Sequence, residues 1–323
     1  MSELTMVEAL RSGMREAMHA DASVVLLGED VGRVGGVFRV SDGLRDEFGP
    51  ARVIDTPLSE GGIVGTAIGM AMHGLRPIAE IQFADFIYPA FDQLVNEAAK
   101  IRYRSGGQFS VPLVVRAPYG GGIKGGHYHS QSPEAYFTHT AGLKVVCPSN
   151  PRDAKGLLRA AIDDPDPVIF FEPKRIYRAV RDEVPDEIRV PLGKAEIVRE
   201  GADVTLIAYG AMLYEALAAA EEVAREGIEV ELVDLRTLIP LDLETLEASV
   251  NKTGRFVVVH EAPLTSGFGA EIVSRLTERC FYALEAPPIR VTGFDTPFPY
   301  TLEDVYLPLA RRIAPALRKA MED

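Results

Sequence analysis

Residues 52–74 read RVIDTPLSEGGIVGTAIGMAMHG, and this stretch decides the architecture. Val53 and Ile54 form a short apolar strand that runs into a turn built from Asp55, Thr56 and Pro57. One acid follows, Glu60, and then fourteen residues, 61–74, without Asp, Glu, Lys or Arg. Gly61, Gly65 and Gly69 recur every four residues, with Ala67 and Ala71 also small, so one helix face is nearly flat and another backbone can approach it. Strand, turn and uncharged helix make one unit of an α/β fold, with the helix expected to be buried on all sides.

The same alternation continues outward. A helix is read over 4–20, a strand in VVLLGED (24–30), and a short helix in SDGLRDEFG with Ser41 as N-cap and Gly49 as stop. Beyond the opening stretch come the strand PIAEIQF (77–83) and a helix over YPAFDQLVNEAAKIRYRSGG, with Pro89 in its first turn and Gly106 past its end. The strand VPLVVRAPY leads into a Gly- and His-rich loop, GGGIKGGHYHSQSPEAYFTHT, and then come LKVVCP (strand), SNPRDAKGLLRAAIDD (capped helix) and PVIFFEP (strand). Strands alternating with helices predict mostly parallel sheets with helices on both faces. Polar, proline-containing sequence breaks the rhythm after residue 173, and a second α/β unit follows: VTLIAYG, a helix over 211–225, IEVELVDL, RFVVVHE, a helix near 269–280, and PIRVTG. The reading is therefore two three-layer α/β/α domains, 1–180 and 204–323, joined by a linker at 181–203.

Composition narrows the function classes. The chain has 323 residues and a formal charge of −13, which argues against nucleic acid as the main partner. No apolar run reaches the ~18 residues of a membrane span, and the N-terminus lacks a basic-then-apolar leader. Two cysteines, Cys147 and Cys280, set up neither a disulfide framework nor metal-ligand spacing, which fits a reducing cytoplasm. With 47% hydrophobic residues the chain is rich for a monomer, a sign of large subunit interfaces.

Three features carry candidate chemistry. Gly120, Gly122 and Gly125 spell G-x-G-x-x-G after a strand, but an apolar helix does not follow and the next strand ends without an acid, so the dinucleotide fingerprint fails; a mobile glycine loop that closes over a site is the plainer reading. His127 and His129 lack a third ligand for a metal, and His129 is either a surface histidine or one held for proton transfer. Glu60 is either an acid favoured by the helix dipole, worth ~0.3–1 kcal/mol, or a carboxylate with little water around it and a raised pKa, able to share a proton with a nitrogen base. One strand later, Gln82, Phe83, Phe86 and Tyr88 cluster at a strand end. An acid, an amide and a flat aromatic at adjacent strand ends suit a planar heterocycle, unless the phenylalanines are simply core.

The strings IDTPLSEGGIVGTAIGMAMHGLRPIAEIQFADFIYPAFDQLVNEAAKIRYRSGG, YHSQSPEAYFTHTAGLKVVCPSNPRDAKGLL, VDLRTLIPLD and HEAPLTSGFGAEI resemble the β subunits of thiamine-diphosphate-dependent 2-oxoacid dehydrogenase E1 components. YHSQSPEAYF, FFEPKRIYR and HEAPLTSGF resemble the branched-chain enzymes more than the pyruvate enzymes. The resemblance implies a transketolase-like pyrimidine-binding domain followed by a transketolase C-terminal-like domain for assembly and E2 docking. It implies that Glu60 binds N1′ of the cofactor's aminopyrimidine, so that the 4′-imino form deprotonates the thiazolium and the cofactor becomes the electron sink for decarboxylation. It places Glu29, Leu58, Ser59, Gln82 and Phe86 at cofactor contacts, and Phe83, Phe86, Ile87, Tyr88, Pro89 and His129 around the substrate. His129 would serve proton transfer and acyl transfer to the lipoyl group. A potassium site would use backbone carbonyls of Val111, Leu113, Val114, Ala161, Asp164 and Asp166. The Gly-Asp-Gly motif that holds Mg2+ and the diphosphate in this superfamily is absent, SDG at 41–43 being the nearest string. The implied assembly is thus an α2β2 heterotetramer in which an E1 α subunit brings Mg2+ and the diphosphate half of each site, serving a lipoyl acyltransferase, E2. The expected reaction is oxidative decarboxylation of branched-chain 2-oxoacids. The alternatives are the pyruvate enzyme and a non-catalytic assembly chain of the same complex.

Overall fold

The computed structural model describes residues 2–322. In chain order the strands are β1 (Ser2–Thr5), β2 (Val24–Gly28), β3 (Val53–Asp55), β4 (Arg76–Glu80), β5 (Val114–Tyr119), β6 (Lys144–Val146), β7 (Val168–Pro173), β8 (Arg181–Val184), β9 (Glu196–Arg199), β10 (Val204–Ala208), β11 (Val230–Asp234), β12 (Thr237–Ile239), β13 (Phe256–Pro263) and β14 (Ile289–Gly293). A seven-stranded sheet runs β12-β6-β7-β5-β4-β2-β3, parallel except for β12, and a five-stranded sheet runs β14-β13-β10-β11-β9, parallel except for β9.

Sequence-local physics sets the helices. Thr5 and Glu8 form a capping box before the helix Met6–Ala20: the Glu8 N–H donates to Thr5 Oγ1 at 3.3 Å and the Thr5 N–H to Glu8 Oε2 at 2.8 Å. Asn150 caps Pro151–Asp163, accepting from the Asp153 N–H at 2.8 Å, with Pro151 at the first helical position where no donor is needed. Asp242 caps Leu243–Thr253, which stops at Gly254 in the left-handed conformation.

Both faces of both sheets are buried, so the strands read as apolar runs rather than alternating ones. Alternate residues go to opposite cores: Val114, Phe170, Leu206 and Val257 to one, Val115, Phe171, Ile207 and Val258 to the other. Each core runs on from the first sheet to the second, which joins the two units through continuous packing.

Several expectations change. The first helix begins at Met6, because Ser2–Thr5 pairs antiparallel with β8. The stretch 181–203 is not a bare linker: β8 takes up that pairing and β9 edges the second sheet. Strand β12, from the second half, joins the first sheet beside β6. Ser41 does not cap the short helix Leu44–Phe48; its buried hydroxyl donates to the Val31 carbonyl at 2.8 Å, and Gly43 precedes the helix. The helix read over 88–107 is divided into a 3-10 turn Tyr88–Ala90 at Pro89, a π-turn Gln93–Ala98 and a short α-helix Ile101–Arg104. The helix Glu60–Met72 is not enclosed: Ile63, Val64, Ala67 and Ile68 face the core, while Gly65, Thr66 and Gly69 are exposed.

Candidate active site

Four adjacent parallel strands, β5-β4-β2-β3, end at one edge of the first sheet. Ligands in open α/β sheets bind outside such carboxyl ends. Glu29 follows β2, the turn to Ser59 and Glu60 follows β3, Gln82 and Phe83 follow β4, and the loop bearing His129 follows β5.

Ser59 is the N-cap of the helix Glu60–Met72, its hydroxyl accepting from the Gly62 N–H at 3.3 Å. The cap fixes Glu60 as the first helical residue, where the helix dipole favours a carboxylate. Glu60 is half-buried rather than dry, and among the described residues its carboxylate has no hydrogen-bond or ion-pair partner. Its charge acts on Glu29, whose carboxyl is raised above the ordinary range by burial first and by Glu60 and Asp30 after it. Gly61 lets the helix start close to the 88–90 turn, since a Cβ there would stand 3.0 Å from the Pro89 carbonyl oxygen. Around Gly69, in contrast, a Cβ would meet nothing within 4 Å. Leu58 is 79% exposed.

The aromatic group closes around His129. The Phe83 and His129 ring centroids are 4.6 Å apart and nearly perpendicular, Phe86 and His129 5.4 Å, and Phe83 and Phe86 5.6 Å. Among the described residues the His129 ring nitrogens have no hydrogen-bond partner, so the ring is oriented by packing alone. Gln82 Nε2 reaches Asp30 Oδ2 at 3.4 Å. Tyr88 and Pro89 are exposed beside the group, and Tyr88 packs edge-on with Tyr136. Ile87 is fully buried in the core, so it backs the pocket wall and does not face a substrate. His127 is exposed against Tyr128, and among the described residues no group of three or more His, Cys, Asp or Glu is placed to hold a metal ion.

The sequence reading missed the parts behind this wall. Phe38, from an irregular loop, packs edge-on to Phe83 at 5.3 Å. Asp85 is buried and accepts from the Gln131 N–H at 3.2 Å, and burial raises its carboxyl. Lys174 lies over the Phe83 ring, its Nζ 5.8 Å from the centroid, and burial pushes its ammonium down to about 8. Arg116, inside β5, pairs with Glu80 at 2.6 Å and with Glu172 at 2.7 Å, tying β4, β5 and β7 together in a buried network. A charge inside a strand was the available signal for Arg116; Phe38 and Lys174 left none.

At the expected potassium position the chain supplies its own cations. Lys144 holds the Asp164 carboxylate at 2.6 Å and Arg102 holds Asp166 at 2.5 Å. The carbonyls of Val111, Leu113 and Ala161 each already accept a backbone N–H. With both carboxylates paired, the backbone carbonyls are the groups that a potassium ion would use there.

Residues 2–180 match the family described as transketolase, pyrimidine binding domain, and residues 193–313 match transketolase, C-terminal domain. The structure resembles that of a split-gene transketolase, inactive β4 tetramer, with a TM-score of 0.82 and 25% identity over 99% of both chains. The fold and site thus define a thiamine-diphosphate pyrimidine-binding chain of the transketolase type. Among curated relatives, the 2-oxoisovalerate dehydrogenase subunit beta of Pseudomonas aeruginosa is 53% identical over 99% of this chain and 96% of its own length. The pyruvate dehydrogenase E1 component subunit beta of Acholeplasma laidlawii is 50% identical over 99% and 98%. The chain belongs to the β subunits of the E1 component of 2-oxoacid dehydrogenases.

Proposed function

We propose that this chain supplies the pyrimidine-binding, proton-handling half of a thiamine-diphosphate site, completed by an E1 α subunit that brings Mg2+ and the diphosphate half in an α2β2 assembly. The juxtaposition at the four strand ends carries this reading: a Glu60 carboxylate that has no hydrogen-bond or ion-pair partner among the described residues, beside a raised Glu29, and a histidine set edge-on against Phe83 and Phe86. When bound, thiamine diphosphate supplies the nucleophilic carbon and the electron sink for decarboxylation. Glu60 shares a proton with the pyrimidine ring nitrogen, and Glu29 limits the negative charge beside it. Phe83 and Phe86 give the ring a flat, water-excluding wall. His129, whose ring nitrogens have no hydrogen-bond partner among the described residues, moves protons at the substrate and assists acyl transfer to the lipoyl arm of E2, which the second α/β unit helps to dock. The exposed face around Gly65 and Gly69 and the bare Leu58 are where the α subunit seats. The solved relative titled an inactive β4 tetramer supports the need for a second chain.

The substrate class is branched-chain 2-oxoacids, on the motif likeness and on the P. aeruginosa relative's name. Pyruvate is the second reading, favoured by the A. laidlawii relative. A panel of pyruvate and the 2-oxoacids of valine, leucine and isoleucine on the reconstituted pair decides between them. Higher kcat/KM for the branched acids is expected; a preference for pyruvate overturns the substrate class.

A further inference from the structure

From sequence, the glycine run after β5 is expected to be a mobile loop that closes over a site. Its backbone is instead held by carboxylates of the second α/β unit. The Gly121 N–H donates to Glu261 Oε2 at 2.7 Å. The Gly122 and Lys124 N–H groups donate to the two oxygens of Glu303 at 3.0 and 2.9 Å. At the loop's far end the Gln131 N–H donates to Asp85, and the Gly120 N–H closes the loop onto the Gln131 carbonyl at 3.0 Å. Glu261, on β13, is 4% exposed, and Glu303 is 2% exposed.

The glycines serve this seating. A Cβ at Gly120 would stand 2.9 Å from Glu261 Oε2, and one at Gly121 would stand 2.9 Å from the Phe298 ring. Hydrogen bonds from backbone N–H groups to buried carboxylates are charge-assisted and costly to leave unmade. Positive charge reaches the cluster from Lys174, on which Asp85, Glu261 and Glu303 act, and from Arg175, which acts on Glu261. His129 rides on this loop two residues before Gln131.

We propose that Glu303 and Glu261 are positioning residues for His129: the second α/β unit sets where that ring stands by gripping the loop at three backbone N–H groups. This rests on the reading of His129 as the proton-transfer group, and it gives the second unit a part in the reaction besides assembly. Glutamine is the discriminating substitution at 303, because its amide nitrogen would face one of two N–H donors where the carboxylate accepts both.

The test uses the chain reconstituted with an α subunit and compares wild type, Glu303→Gln, His129→Ala and the double variant. Hydrogen exchange at residues 121, 122 and 124 is expected to be about tenfold faster in Glu303→Gln, with β5 amides unchanged. Lipoyl acyl transfer should fall while thiamine-diphosphate affinity holds, and Glu303→Gln should add no further loss on top of His129→Ala. Unchanged loop exchange, or an equal loss with and without His129, overturns the proposal. Full activity in His129→Ala would instead remove the histidine from the reaction, while the exchange rates still decide whether the grip exists. If Glu303→Gln does not fold, Glu261→Ala, which removes the acceptor of the Gly121 N–H, carries the test: faster exchange at residue 121 and a loss of acyl transfer that vanishes in the His129→Ala background are expected, and unchanged exchange at 121 or an equal loss in both backgrounds overturns the proposal.

Discussion

Glu60 and Glu134 show how different two carboxylates of one chain can be. Glu60 is half-buried at a helix N-terminus, has no hydrogen-bond or ion-pair partner among the described residues, and so is available to a ligand. Glu60→Gln keeps the shape and replaces the carboxyl by an amide. In a reconstituted complex it should lower decarboxylation by about 100-fold or more, with the cofactor still bound; a near wild-type rate would leave Glu60 as a helix-end charge. Glu134 is fully enclosed, accepts the Tyr209 hydroxyl at 2.7 Å, and is pushed by burial from 4.5 to about 7. Because the folded value is raised, its contribution is present below pH 4.5 and lost as the pH rises through about 7. The window is worth about 3 kcal/mol. Glu134→Gln should therefore be close to neutral at pH 4.5 and stabilising at pH 8, read by denaturant unfolding at the two pH values. A variant equally less stable at both would mean that Glu134 is ionised and paired.

Among the elements, the helix Glu60–Met72 has two different faces. Its N-terminal glycine lets it pack on the 88–90 turn, while Gly69 faces open space. Gly69→Leu should leave the isolated chain as stable or up to ~1 kcal/mol more stable, through helix propensity, yet weaken association with an α subunit. Thermal melting of the chain alone and sedimentation of the mixture read the two effects; normal assembly would move the interface elsewhere. The sequence predicted this helix because strand, turn and cap signals are local. It did not predict that one face stays bare, since an uncharged glycine face looks the same whether the chain or a partner covers it. Strand β12 was illegible for a related reason: Thr237–Ile239 is three residues long and finds its partner, β6, about ninety residues away. The break of the 88–107 helix at Pro89 and Gln93–Ala98 likewise depends on the helix that packs against it.

For the whole molecule, alternating strand and helix signals sufficed for two α/β units, because burial on both sheet faces leaves long apolar runs in the sequence. Glu60, Gln82, Phe83, Phe86 and His129 were legible as residues at or beyond strand ends, whereas Glu29 was placed beside them by the family resemblance alone. Asp85, Lys174, Glu261 and Glu303 were not, because their partners are loop backbone and ring faces reached only through the tertiary fold. The central claim is that this chain holds half of a site. Calorimetry with thiamine diphosphate and Mg2+ tests it directly, on the chain alone and on the chain reconstituted with an α subunit. The account predicts no measurable binding to the chain alone and tight, Mg2+-dependent binding to the pair; tight binding to the chain alone would contradict it.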